Sequence, residues 1–285
     1  MDIRIDRPRQ RRIRVLADGR FAAAYTLGHA RPYVYPVLTP SGLPVTEECP
    51  ADHPHHQSVW LAQDEVNGHN FWINGPAGGR IIGPEPASRV EETPDGPAAV
   101  FRQELTWQAA DGTPVLTERR VTAIVPTPTA TIVDVVSERR PAGGPVEFGS
   151  TKEAGFGFRV LDMLDEGDGG TLVNDRGGRG EAGTFDQEAD WVDYWGHLGD
   201  RAAGIALFPH PQNPRHPWFT RAYGIVLANH HRFGGETLQP GQRLGLQWRV
   251  VAHDGSTEAA DVPGLHARYL EACRDGLEHA LAWRL

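Results

Sequence analysis

Apolar residues in this chain come in short alternating runs, and almost every run is cut by glycine or proline before a helix could complete three turns. A period of two with closely spaced turns builds antiparallel strands. Residues 12–16 and 21–27 flank Asp18-Gly19, and residues 100–109 and 114–125 flank Asp111-Gly112. Each is a hairpin signal, because tight two-residue turns need a backbone that tolerates positive φ. Residues 130–139 follow the proline turn at 126–128 and continue the meander, with 146–148 as the expected partner. Later runs at 204–208, 224–228 and 244–252 are again short and bounded, so roughly a dozen strands are expected.

Helix enters only at the C-terminus. There Ser256 can cap a turn, and Leu265, Tyr269, Ala272 and Cys273 fall at helical spacing after Pro263. The expected fold is all-β, a large antiparallel β-sandwich with a short C-terminal helix at about 256–280. Glycine (33) and proline (23) are about a fifth of the 285 residues and show no period, which fits a turn-rich fold and excludes collagen. No repeat or linker divides the chain, so residues 1–285 read as one domain, within the range of large sandwiches.

A formal charge of −9 without a basic stripe argues against nucleic acid and anionic lipid as partners. Cys49 and Cys273 are too few for a disulfide framework or a thiolate metal site. The charged N-terminus lacks the apolar run of a signal peptide, and no stretch approaches the roughly 18 apolar residues of a membrane helix. A cytoplasmic protein is the expectation, with a small molecule as partner; the oligomeric state is left open. Of the 28 basic residues only Lys152 is a lysine, which reflects either a place where a compact ammonium is wanted or chance.

Two long segments, 46–79 and 162–199, resist the strand pattern, and long connections in compact domains tend to be functional. The first holds Asp52-His53-Pro54-His55-His56, then Trp60, Asp64, His69, Phe71 and Trp72. In an extended backbone His53 and His55 point one way and His56 the other, so two imidazoles meet one ligand with Asp52 or Asp64 orienting them. That arrangement suits a proton relay or a divalent metal. For a metal, His210 or Glu153 would supply the third ligand, leaving an open position for Zn, Mn, Fe or Ni; the spacing itself fixes no metal. Gly149 to Arg159 places Lys152 and Glu153 side by side in a glycine-lined strand, either an acid–base pair or a surface ion pair. Trp191, Asp193 and Trp195 interleave rings with carboxylates as sugar-binding surfaces do, or form the two faces of a strand. Finally, a proline-stiffened loop carries His210, Asn213, Arg221 and Tyr223 at low entropic cost. No dinucleotide fingerprint, P-loop, serine elbow or cysteine metal pattern is present in the sequence.

Taken in order, Asp52-His53-Pro54-His55-His56, Val66-Asn67-Gly68, Phe71-Trp72, Thr151-Lys152-Glu153, Asp190-Trp191-Val192-Asp193-Tyr194, His210-Pro211, Asn213-Pro214, Arg221, Tyr223-Gly224 and His253-Asp254-Gly255 resemble the PmoA-like family of bacterial proteins. The resemblance spans roughly residues 10 to 255. It implies a galactose-mutarotase-like supersandwich in proteins associated with bacterial carbohydrate catabolism. Where that family tends to read His-His-Arg-Gly and Trp-His-x-Arg, this chain has His55-His56-Gln57-Ser58 and Trp218-Phe219-Thr220-Arg221.

The expected function is a carbohydrate-active enzyme using His/Glu acid–base chemistry, a mutarotase, isomerase or lyase on a sugar that is oxidised in the last case. Catalysis would fall to His53, His55, His56, Glu153, His210 and Tyr223, and substrate binding to Lys152, Trp191, Asp193, Asn213 and Arg221. A non-catalytic carbohydrate-binding or sensing protein is the alternative reading, and a metal-dependent oxygenase, as the family name suggests, the second.

Overall fold

Both Asp-Gly pairs turn the chain as their backbones allow: Asp18 and Gly19 take φ of 47° and 77°, and Gly112 takes 93°. The computed structural model describes residues 1–9 and 11–274, and about 51% of it is strand against 8% helix. The first strands are β1 (Ile3–Arg9), β2 (Arg12–Ala17), β3 (Arg20–Leu27), β4 (Pro32–Val37) and β5 (Val59–Gln63). Next come β6 (Arg80–Ile82), β7 (Ala87–Thr93), β8 (Gly96–Gln108), β9 (Pro114–Pro126), β10 (Thr131–Pro141), β11 (Val146–Phe148) and β12 (Ala154–Arg159). β13 (Thr171–Asn174) leads into the one-turn helix α1 (Gly180–Thr184), followed by β14 (Val192–Leu198), β15 (Arg201–Pro209), β16 (Trp218–Thr220) and β17 (Ile225–Ala228). β18 (Glu236–Leu238), β19 (Leu244–Asp254) and the helix α2 (Val262–Arg274) complete the described residues.

An eight-stranded sheet runs β1-β2-β3-β4-β5-β12-β17-β16, and a nine-stranded sheet runs β13-β14-β15-β19-β10-β9-β8-β6, with β7 also paired to β8. Neighbouring strands are antiparallel throughout both sheets. The two sheets pack face to face. Val59, Leu61, Phe156 and Phe158 of the first meet Val133, Val135, Ile205 and Leu207 of the second in one buried cluster. The alternating pattern therefore builds the expected large antiparallel β-sandwich. No helix among the described residues is long and apolar enough to cross a membrane.

Three expectations are corrected. β10 pairs with β9 and β19, and residues 146–148 pair instead with β18 in a separate two-stranded sheet; the choice is made by residues nearly a hundred positions away. Nineteen strands appear among the described residues where roughly a dozen were expected: the two long segments contain β5, β13 and β14, and the other additional strands, among them β1, β4, β6, β7, β16 and β18, lie outside them. The C-terminal helix begins at Val262, not at 256. Ser256 caps only a turn, accepting from Ala259 N–H at 3.2 Å, and Asp261 takes over as the helix cap, accepting from Gly264 N–H at 3.1 Å. Residues 275–280 lie outside the described residues.

α2 lies on the outer face of the nine-stranded sheet. Its Val262, Leu265, Tyr269 and Ala272 bury Ala206, Phe208 and Val251 there. The equivalent outer face of the eight-stranded sheet carries loops and aromatic side chains, with only the one-turn helix α1 against its edge strand β16.

Candidate functional site

Strand alternation creates this second face. Where Val59 and Leu61 of β5 enter the core, Trp60 and Ala62 point away from it; in β17, Val226 and Ala228 point inward and Ile225 and Leu227 outward. Trp72, Phe219 and Tyr33 join them in an apolar cluster outside the sandwich core, flanked by Phe185 and Tyr223. β12 contributes Gly155, Gly157 and then Arg159 to this face. A Cβ on Gly157 would sit 1.9 Å from the Val226 carbonyl oxygen, so only glycine lets β12 and β17 pair here.

The histidine segment closes over one end of this face as a turn, not as the extended strand expected from its spacing. Pro54 sets the turn, and His56 N–H donates to the His53 carbonyl at 2.9 Å. The turn brings all three rings together instead of splitting them between two faces. His53 stacks on His56 with centroids 4.6 Å apart and on Tyr223 at the same spacing. His55 stands edge-on to His56 at 4.7 Å and faces Trp72 at 6.2 Å, while His56 rests against Trp60 at 5.4 Å.

Asp52 orients the outermost ring: its Oδ2 accepts from His53 Nδ1 at 2.8 Å. Two further donations, from Nη1 and Nη2 of the buried Arg159 at 3.0 Å each, hold that carboxylate in place. Burial acts to raise the Asp52 carboxyl, but the hydrogen bonds from His53 and Arg159 outweigh it and hold it below the usual carboxylate range. With Nδ1 of His53 committed to Asp52, Nε2 is the ring nitrogen left for other partners. Burial pushes His56 down to about 2, helped by the neighbouring imidazoles and Arg159, so it stays neutral. Burial also lowers His55, and neither of its ring nitrogens has a hydrogen-bond partner among the described residues. Burial raises the Tyr223 phenol above its ordinary value, which keeps it a proton donor.

Arg31 holds the site together and was not singled out from the sequence. Its guanidinium is wholly buried and donates to the His55 carbonyl, Gln57 Oε1 and the carbonyls of Phe71, Trp72 and Ile73, at 2.8 to 3.3 Å. One side chain therefore fixes both the histidine turn and the Trp72 loop. No sequence signal marks it, because all five acceptors lie in distant loops. Burial, with Arg120 nearby, pulls Arg31 down to about 9. Gln57, one of the departures from the resembled family, is thus a structural acceptor, and Ser58 beside it takes φ of 65° and donates to the Val34 carbonyl.

Arg221 and Tyr223 reach the same face, as expected. Arg221 donates to Glu181 Oε1 at 2.6 Å and lies over the rings of Phe185 and Phe219. The remaining residues singled out from the sequence do not converge here. Glu153 lies beside Asp64 at the opposite end of β12 from Arg159, about 20 Å away at the usual strand rise. Lys152 next to it is exposed and forms no ion pair among the described residues. Asp193 is fully buried in the outer face of the other sheet, accepting from His253 Nε2 at 3.0 Å and Thr257 Oγ1 at 2.6 Å, and Trp191 packs beneath α2. Asn213 mimics a strand by bonding both backbone groups of Gln247, and His210 is buried near Tyr269. The four segments thus lie on two different sheets, and the metal set combining His53 and His55 with His210 or Glu153 is not assembled. Among the described residues the group whose donor atoms gather closely enough for a metal is His230, His231 and Glu236, which the sequence reading passed over.

Solved structures offer distant likenesses. A protein from the human microbiome described as a candidate kojibiose phosphorylase is 8% identical with a TM-score of 0.37; the match covers 91% of this chain and 33% of that one. This chain thus spans about a third of that protein. A galactose mutarotase related enzyme from Lactobacillus acidophilus is 8% identical with a TM-score of 0.23, covering 90% of this chain and 98% of the other. Similarities of this size leave fold and function to be argued from the chain itself. No curated protein sequence matches it. A family model matches residues 12–267, and the chain accordingly belongs to the family of unknown function DUF6807.

Proposed function

We propose that this chain is a carbohydrate-active enzyme whose acid–base chemistry is run by His53 and His55 on the outer face of the eight-stranded sheet. The observation that carries the reading is the Asp52–His53 pair, stacked on Tyr223 at 4.6 Å beside a half-buried His55 whose ring nitrogens have no hydrogen-bond partner among the described residues. A carboxylate that fixes one imidazole nitrogen makes the other a directed base. The partly exposed ring of Tyr223 offers an apolar edge to a pyranose, while the buried Trp72 supports the histidines from beneath.

The chemistry that suits these groups is proton removal next to a carbonyl. The base takes the C–H proton, and the bonding electrons move into the C=O to give an enolate. The Tyr223 hydroxyl and the Arg221 guanidinium supply hydrogen bonds and positive charge to that oxygen. Reprotonation on the other face gives isomerisation; expulsion of a leaving group at the next carbon gives elimination. Glu153, expected among the catalytic residues, has no part in it because it sits at the far end of β12. The kinship to PmoA-like proteins read from the motifs belongs to the same proposal.

A panel of sugars and glycosides, including 3-keto-glycosides, followed by product NMR tests the reading. Turnover by the wild-type chain, lost on His55→Ala with the fold intact by circular dichroism, is the expected result. Sugar binding seen as a change in tryptophan fluorescence, with no product formed from any member of the panel, would replace catalysis by sensing.

A further inference from the structure

At the other end of the same strands, the chain gathers a second set of groups. Glu236 of β18 points one carboxylate oxygen at two adjacent imidazoles: Oε1 lies 2.8 Å from His231 Nε2 and 3.5 Å from His230 Nε2. All three donor atoms fall within 4.8 Å of one another. Ligands about 2.0 to 2.2 Å from a tetrahedral ion are roughly 3.3 Å apart, so the observed separations bracket what a bound ion needs.

Hydrogen-bond accounting points the same way. His230 Nε2 is buried and has no hydrogen-bond partner, on a side chain only 7% exposed. His231 has an acceptor on each side: Glu236 Oε1 at Nε2, and Gln63 Oε1 at 3.3 Å from Nδ1. A neutral ring carries one N–H and cannot serve both. Both side chains are buried, 2% exposed for His231 and 7% for His230, so an extra charge on the ring is costly there. A cation at Nε2 resolves the conflict, since Nδ1–H then donates to Gln63 as metal-bound histidines commonly donate to an outer partner. Loop contacts hold the set in place: Thr151 N–H donates to the His231 carbonyl at 3.1 Å, and Asn229 side-chain atoms bond Thr151 O and His231 N.

We propose that His230, His231 and Glu236 bind a divalent first-row transition ion, with Gln63 as the outer hydrogen-bonding partner. Two imidazoles and a carboxylate suit Zn, Fe or Mn and leave at least one position open. Arg139 defines what fills it. Its guanidinium is 1% exposed, has no hydrogen-bond partner on any of its three nitrogens, and lies over Phe148, the ring on which His231 stacks. Arg139 also feels the buried Glu118, which Arg120 pairs; a divalent ion with Arg139 and Arg120 against Glu118 and Glu236 leaves net positive charge, so the open position takes an anionic oxygen ligand, hydroxide or a carboxylate.

The test is independent of the chemistry proposed for His53 and His55. Full-length protein stripped with chelator is titrated with Zn²⁺ alone, and with Co²⁺ for its visible absorption, following stoichiometry and melting temperature. One equivalent is expected to bind with a rise in melting temperature, since an ion that binds only the folded chain stabilises it. His230→Ala and Glu236→Gln should each weaken binding at least a hundredfold, while His53→Ala retains it; Glu236→Gln keeps the side-chain volume should the alanine variant fold poorly. No binding to the wild-type chain, or binding that survives both variants, or loss on His53→Ala instead, overturns the proposal. The first result would mean that the Gln63 amide is turned about, donating to Nδ1 while a neutral His231 donates to Glu236.

Discussion

Arg31 shows how much of this site rests on one side chain that touches no substrate. Replacing it by Met leaves the carbonyls of His55, Phe71, Trp72 and Ile73 without their donor, and buried unsatisfied groups cost about 1 to 3 kcal/mol each where water cannot replace the partner. Arg31→Met should lower stability by about 3 kcal/mol or more in urea denaturation. The pair of Asp193 and His253 gives a signed pH dependence. Burial pulls His253 down, but the Asp193 carboxylate outweighs it and the ring ends above its ordinary 6.5. A raised imidazole contributes stability that is complete below pH 6.5 and lost as pH rises through the folded value. Asp193→Asn should therefore cost more at pH 5.5 than at pH 8. His216 and His230 run the other way. Burial depresses each to about 4, so metal-free protein should lose stability as pH falls from 6.5 toward 4, by about 1.4 kcal/mol per unit for each ring. Denaturation midpoints across pH 4 to 9 check both signs. Asp193 also shows where sequence reading fails at this scale. It alternates with tryptophans as a sugar ligand would, and nothing local reveals that His253 and Thr257, 60 and 64 residues on, consume both of its oxygens.

Elements were legible where their causes are local. The Asp-Gly turns fix the hairpins β2–β3 and β8–β9, and the helical spacing of Leu265, Tyr269 and Ala272 fixes the buried stripe of α2. They were illegible where a partner is remote: β11 chose β18. The histidine segment misled for a related reason, since Pro54 permits an extended strand and a turn alike and Arg31 selects the turn through the His55 carbonyl and Gln57. α2 seals the sheet opposite the candidate site. Tyr269 is 1% exposed and lies under the guanidinium of Arg249, itself bonded to Asp134 and Asp95. Tyr269→Ala should cost about 3 kcal/mol while sparing any activity at His53, a split read by comparing melting temperature with turnover.

On the scale of the molecule, a sandwich has two outer faces, and the chain treats them differently: one lies beneath α2, while the other is dressed with aromatic rings, imidazoles and the arginines Arg31, Arg159 and Arg221. Composition and alternation sufficed for the sandwich, because burying one side of every strand is all that a sheet requires. They did not say which loops share a face, since that depends on strand order; His210 and Asn213 therefore fell away from the histidines, while Tyr223 and Arg221 arrived beside them. The central claim is that Asp52 directs His53 as a base toward a sugar carbon on this face. Deuterium uptake from D₂O into the substrate that the panel identifies, followed by NMR for wild type, Asp52→Asn and His53→Ala, tests it most directly. The expected result is carbon-bound exchange in the wild type that falls 10²- to 10⁴-fold in both variants with the fold unchanged; exchange at the wild-type rate in both would contradict it.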